Sequence, residues 1–159
     1  MKRSIFTLLF CVLTSITGFA QVKKIVTDVN GNFEIVVRVG EDKSVTINEY
    51  GDVIDTEING AISYYSSTGK IWKIGSTEFN YYSSTGKIWK VGSIEFNYYS
   101  STGKIWKVGS TEFNYYSSTG KIWKIGSTEF NYYSSTGKLS SGNRSFTHNG
   151  ISFRVTGGN

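Results

Sequence analysis

The chain has 159 residues, with 17 Lys and Arg against 12 Asp and Glu, and its rings come from 4 Trp, 11 Tyr and 10 Phe. That length suits one domain, and a net charge of +5 dispersed along the chain excludes the concentrated basic face that nucleic-acid binding needs. One His and one Cys exclude a disulfide framework and leave little for metal or nucleophilic chemistry.

Lys2 and Arg3 precede an apolar run from Ile5 to Ile16, and Gly18, Phe19 and Ala20 end it with small residues at the positions a signal peptidase reads. Thr7, Thr14, Ser15 and Thr17 interrupt this run, which is shorter than the roughly 20 apolar residues a membrane helix needs. Residues 1–20 therefore read as a secretory signal cleaved after Ala20, with the mature chain periplasmic, cell-surface or secreted. Without residues 1–20 the chain keeps 15 Lys and Arg, 12 Asp and Glu and no Cys. Stability must then come from packing and strand pairing.

Residues 21–61 form an N-terminal β capping segment. Val22 to Val29, Asn32 to Val39, Ser44 to Glu49 and Val53 to Glu57 alternate in the manner of strands, parted by Asn30-Gly31, Gly40-Glu41-Asp42-Lys43 and Tyr50-Gly51-Asp52. Asn-Gly is a hairpin turn signal.

Residues 62–139 carry a tandem repeat of period seventeen. Aligned on Tyr-Tyr-Ser-Ser-Thr-Gly-Lys, the copies run Ser63 to Phe79, Asn80 to Phe96, Asn97 to Phe113 and Asn114 to Phe130, and a fifth begins at Asn131. Tyr, Trp, Ile, Thr and Phe favour strands, while Ser83-Ser84-Thr85-Gly86 and Gly92-Ser93 supply two turns per copy: a three-residue hairpin loop with Gly86 left-handed, and a two-residue type II′ turn.

Strict alternation through both turns pairs Tyr82 with Ile88, Tyr81 with Trp89, Asn80 with Lys90, Phe79 with Val91 and Lys90 with Glu95. One face then holds Phe79, Tyr81, Trp89, Val91 and Phe96, and the other Asn80, Tyr82, Ile88, Lys90 and Glu95. A parallel solenoid would instead stack Lys90 on Lys107 and Glu95 on Glu112 at about 4.8 Å. An antiparallel order replaces these like-charge ladders with Lys73–Glu78, Lys90–Glu95, Lys107–Glu112 and Lys124–Glu129. The expected fold is all-β: an antiparallel β-meander of 17-residue β-hairpin repeats in one extended, twisted or curled sheet, with no helices after the signal peptide. Residues 140–159 add a C-terminal β-hairpin cap, Ser145 to His148 and Ile151 to Val155 about Asn149-Gly150, and both flanks are expected to continue the sheet. An aromatic face this large must be covered by curling, by the unrepeated ends folding across it, or by a partner.

Tyr81-Tyr82 with Gly86-Lys87-Ile88 resembles the β-hairpin of MORN-type repeats, and also the aromatic hairpin of choline-binding, cell-wall-binding repeats. Asn80 stands where the cell-wall repeats place a Trp before the Tyr pair, and Trp89 lies on the other strand. The chain as a whole is similar to small secreted tandem-repeat proteins of Gram-negative bacteria. These resemblances imply hairpin architecture.

Catalysis finds no support in the residue inventory. His148 sits beside a turn, the array's acids are Glu opposite Lys, and Asp28, Asp42, Asp52 and Asp55 occupy separate turns and strands. No catalytic residue, metal ligand or cofactor is expected. Two non-enzymatic readings remain. In the first, the chain is a structural or interaction module at the cell exterior, meeting a protein partner or another copy through its aromatic face or sheet edges. In the second, it is a multivalent binder of glycans or cell-wall polymers, with Trp72, Trp89, Trp106 and Trp123 as stacking platforms beside Tyr64, Tyr81, Tyr98 and Tyr115. An outer-membrane barrel fits poorly, since its strands need roughly 9 to 11 residues. Exposure of the tryptophans separates the two readings: buried rings favour a wall, open rings a binder.

Overall fold

The computed structural model describes residues 19–157; the bulk of the expected signal segment, residues 1–18, lies outside them. The described chain is all-β. From the N-terminal flank come β1 (Gln21–Asp28), β2 (Phe33–Gly40), β3 (Lys43–Asn48) and β4 (Val53–Glu57). The repeats supply β5 (Ile62–Tyr64), β6 (Ile71–Ile74), β7 (Thr77–Tyr81), β8 (Ile88–Val91), β9 (Ile94–Tyr98), β10 (Ile105–Val108), β11 (Thr111–Tyr115), β12 (Ile122–Ile125), β13 (Thr128–Glu129) and β14 (Asn131–Tyr132). The C-terminal part gives β15 (Leu139–Ser141), β16 (Ser145–His148) and β17 (Ile151–Thr156). No helix among the described residues is long and apolar enough to cross a membrane.

These strands do not form one sheet. β5 to β13 lie side by side in chain order as a nine-stranded antiparallel sheet, β14 and β15 make a two-stranded ribbon, and the flanks build a separate six-stranded sheet ordered β16-β17-β1-β2-β3-β4. What joins the two flanks is a parallel pairing of β1 with β17, from Lys24 opposite Ser152 to Asp28 opposite Thr156. The expectation that the flanks extend the array is thus corrected: they fold across it. Alternation within each strand was visible, but a pairing between segments more than a hundred residues apart leaves no local trace.

The flank sheet alternates cleanly. In β2, Phe33, Ile35, Val37 and Val39 are buried, whereas Glu34 and Arg38 are exposed. These residues meet Ile74, Phe79, Val91, Phe96, Val108, Phe113 and Ile125 of the array in one apolar core. Phe33 packs edge-on against Phe113 with centroids 4.7 Å apart, so the core joins both layers directly. Such two-layer packing is the ordinary way for a sheet to hide an apolar face.

The array's register departs from strict alternation at one residue per copy. Phe79 pairs with Val91 and Asn80 with Lys90 as expected, but Tyr81 pairs with Ile88, leaving Trp89 as a β-bulge. The same slip occurs at Trp72, Trp106 and Trp123. The loop is also one residue longer than expected, because the Tyr82 N–H donates to Lys87 O at 2.8 Å and encloses Ser83 to Gly86. A bulge reverses which side chains point inward beyond it. Ile88 therefore enters the core and Trp89 leaves it, the reverse of the expected sorting. Gly92 has a φ of 57° while Ser93 stays at negative φ, the pattern of the expected type II′ turn.

At three of the four bulges the isoleucine N–H looks outside its own sheet, and turns of the flank sheet take it up. Ile88 N–H donates to Gly51 O at 3.3 Å, Ile105 N–H to Glu49 O at 2.9 Å and Ile122 N–H to Val29 O at 3.2 Å. Close approach requires glycine there: a Cβ on Gly31 would come within 2.6 Å of Tyr115, and one on Gly51 would collide with the Tyr98 hydroxyl. Thr77 adds a bond from Oγ1 to Val39 O at 3.1 Å, whereas the equivalent buried hydroxyl of Thr111 finds no partner among the described residues.

Phe113→Ala removes a fully buried ring at the contact between layers and is expected to cost about 3–5 kcal/mol in urea denaturation. Thr111→Val, which deletes an unsatisfied buried hydroxyl while keeping its shape, is expected to stabilise the fold by about 1 kcal/mol in the same assay.

Candidate functional site: the outer aromatic face

The side of the array facing away from the core is built from the bulge. Because two successive residues share that side, each Trp stands next to a Lys: Lys73 Nζ lies 5.8 Å from the Trp72 ring, Lys90 5.6 Å from Trp89, Lys107 5.7 Å from Trp106 and Lys124 5.7 Å from Trp123. Those lysines also reach across the strand pair to glutamates, at 3.7 Å for Lys73–Glu78, 3.9 Å for Lys107–Glu112 and 3.4 Å for Lys124–Glu129. Lys90 and Glu95 face each other in the same ladder position. Exposed pairs of this kind contribute about 0.2–1 kcal/mol each. Their larger effect is to leave the face locally neutral.

None of the four tryptophans belongs to the core. Trp72 is 43 % exposed, and Trp89, Trp106 and Trp123 are half-buried. Each ring is propped from the side by the second tyrosine of its own hairpin: Trp72 by Tyr65, Trp89 by Tyr82, Trp106 by Tyr99 and Trp123 by Tyr116, at centroid distances of 6.3–6.4 Å. Each of those tyrosines meets the first tyrosine of the next copy edge-on, at 6.1 Å for Tyr65–Tyr81 and 5.8 Å for Tyr99–Tyr115. Lys73 opposes Glu78 while Lys90 opposes Asn80, so successive copies are staggered by two residues along the strand. Equivalent tryptophans accordingly form an oblique row with a step of about 12 Å.

The structure separates the tyrosines named from the sequence. Tyr64 lies at the array's edge and is exposed, but Tyr81, Tyr98 and Tyr115 pack against the core. Their hydroxyls donate to the carbonyls of Ile71 at 2.9 Å, Ile88 at 2.5 Å and Ile105 at 2.7 Å, each in the preceding copy, and Tyr132 repeats the contact with Ile122 at 2.6 Å. The ring partners of the tryptophans are Tyr65, Tyr82, Tyr99 and Tyr116, which strict alternation had placed on the opposite face from Trp. A bulge signal, two large apolar residues in succession at Ile-Trp, was present in the sequence and would have exchanged them.

Among the described residues, no group of three or more His, Cys, Asp or Glu gathers to hold a metal ion. Asp28 serves its turn instead, its Oδ1 accepting from the N–H groups of Asn30 at 2.8 Å and Asn32 at 3.0 Å. Comparison with protein-family models, with curated proteins and with solved structures finds no match for this chain.

The inward tyrosines give the site's scaffold a pH limit. Burial, and then the charge that a neighbouring tyrosine would carry, pushes Tyr81 and Tyr132 up to about 12. Tyr98 and Tyr115 are pushed up further, again mainly by burial, with Asp52 and Glu49 adding to the effect. The folded state favours the neutral phenols, so the stability they contribute is complete below the unfolded value of about 10 and is lost as pH rises through about 12. An alkaline titration is expected to show two classes of phenolate by ultraviolet absorbance, the second appearing together with loss of near-ultraviolet circular dichroism. A single class titrating near pH 10 with the fold intact would contradict it.

Proposed function

We propose that this chain is an exported, non-enzymatic interaction module, and that the face it uses is the outer row of Trp72, Trp89, Trp106 and Trp123. One observation carries the reading: the flank sheet already covers the array's apolar face with Phe33, Ile35, Val37, Val39, Val45 and Ile47, yet each copy still places a tryptophan on the opposite side. Rings not needed for the core and held at fixed spacing are suited to binding.

The chemistry of the row favours a neutral polymer. Indole faces stack on the apolar faces of sugar rings, the Lys–Glu pairs offer donors and acceptors to hydroxyls without a net charge, and the row is repeated rather than unique. Weak sites on one rigid sheet add through effective concentration, so the array gains affinity for a long repeating ligand and little for a short one. A glycan or cell-wall polymer fits these terms better than a folded protein, which would meet a staggered, neutral row with few anchors.

The deciding experiment titrates soluble neutral polysaccharides and peptidoglycan fragments while following tryptophan fluorescence. The double variant Trp89→Ala, Trp106→Ala is expected to weaken binding by about tenfold or more while lowering stability by only about 1 kcal/mol per ring. Unchanged fluorescence with every polymer would end the glycan reading, and a collapse of stability in the double variant would return the tryptophans to a purely structural role.

A further inference from the structure

The loop end of the array repeats one contact three times and breaks it once. Lys70 Nζ donates to the Gly86 carbonyl and stands 5.1 Å from the Tyr81 ring centroid. Lys87 Nζ donates to Gly103 O at 2.5 Å and stands 5.0 Å from Tyr98, and Lys121 Nζ donates to Gly137 O and stands 4.9 Å from Tyr132. In each case an ammonium from one hairpin fills a pocket made by the next hairpin's glycine carbonyl and its inward tyrosine. Lys104 occupies the same place in an identical sequence, but its ammonium turns away to Asn30 O at 3.1 Å and Gly31 O at 3.3 Å on the flank sheet.

The consequence is local and measurable. A Cβ built on Gly86, Gly103 or Gly137 would meet a lysine Nζ at 2.9, 2.7 and 2.7 Å, whereas one on Gly120 meets nothing within 4 Å. Between the hairpin loops at residues 99–104 and 116–121 there is a cleft of about 250 Å³ lined by Tyr99, Thr102, Lys104, Tyr115, Tyr116 and Gly120. Three tyrosines, Tyr99, Tyr115 and Tyr116, line it together with small polar residues and glycine.

We propose that this cleft binds an aliphatic primary ammonium on a straight stem, the chemistry of a lysyl side chain presented by a partner polypeptide. The ammonium donates to the Gly120 carbonyl beside the Tyr115 ring, as Lys70, Lys87 and Lys121 do to the glycine carbonyl of the copy that follows each of them, and the stem lies along Tyr99 and Tyr116. A cation near a desolvated aromatic face, with a carbonyl to accept its hydrogen bond, is a favourable pairing. The other three pockets do not compete for this ligand, because each is filled by a tethered lysine at high effective concentration. The cleft shares Tyr99 and Tyr116 with the outer face, where they prop Trp106 and Trp123, but its ligand chemistry does not depend on the reading of that face.

The test titrates n-pentylammonium, with n-pentanol as its neutral counterpart, into isotopically labelled protein and follows the Gly120 and Tyr116 amide resonances. Saturable shifts are expected with the ammonium and not with the alcohol, and they persist in Lys104→Ala, which removes the chain's own competing cation. Ser117→Arg, bringing a guanidinium to the cleft, is expected to weaken binding at least about tenfold, equivalent to roughly 1.4 kcal/mol. Ser83→Arg, at the matching position of another copy, leaves binding unchanged. Equal shifts at Gly86, Gly103, Gly120 and Gly137, an equal response to pentanol, or indifference to Ser117→Arg would each overturn the proposal.

Discussion

One extra residue per copy, the bulged tryptophan, decides how the rest of this molecule is arranged. Without it, Ile88 would point to solvent and Trp89 into the core, and the array's inner face would be a layer of large rings too bulky for the Val and Ile of β2 and β3. With it, the inner face is Ile, Val and Phe, whose size matches the flank sheet, and the indoles move outside. The same bulge releases the N–H groups of Ile88, Ile105 and Ile122 toward the flank turns. Register, cover and outer face thus follow from a single local irregularity.

The cover answers a constraint the array cannot meet alone. Nine strands with one apolar face need a second layer, and with no helix among the described residues it comes from the flanks. Parallel pairing of β1 with β17 makes the two flanks one sheet, so the ends of the chain are held together over the middle. This arrangement ties the stability of the array to both flanks at once. Among the described residues, no second layer lies on the face opposite the core.

Much of this was readable from composition and turns. Strand bounds in the flanks come within a residue or two, Asn149-Gly150 forms a turn with both residues at positive φ, and Lys–Glu pairing across the Gly-Ser turn follows from alternation through that turn, with charge deciding against a parallel stack. What strict alternation could not supply was the bulge, because a period of two contains no place for an inserted residue. Nor could it supply the β1–β17 ladder, since strand propensity is silent about partners distant in sequence. The tyrosines were misplaced for the first reason and the flanks for the second.

Near-identical copies would be expected to give near-identical environments, yet the structure makes them unequal. The array repeats every seventeen residues, but the sheet laid over it does not repeat, so its turns fall on some copies and not others. Tyr98 lies against Gly51 and Tyr115 against Gly31, and these two phenols are pushed up further than Tyr81 and Tyr132 toward the array's ends. Lys87 gains a second ring, Tyr50, at 5.5 Å, while Lys104 is drawn off to the Asn30-Gly31 turn. Duplication alone supplies a row of equal sites, suited to a ligand that is itself repetitive. An unrepeated cover converts one member of such a row into a site unlike its neighbours, and it does so without changing a residue of the repeat.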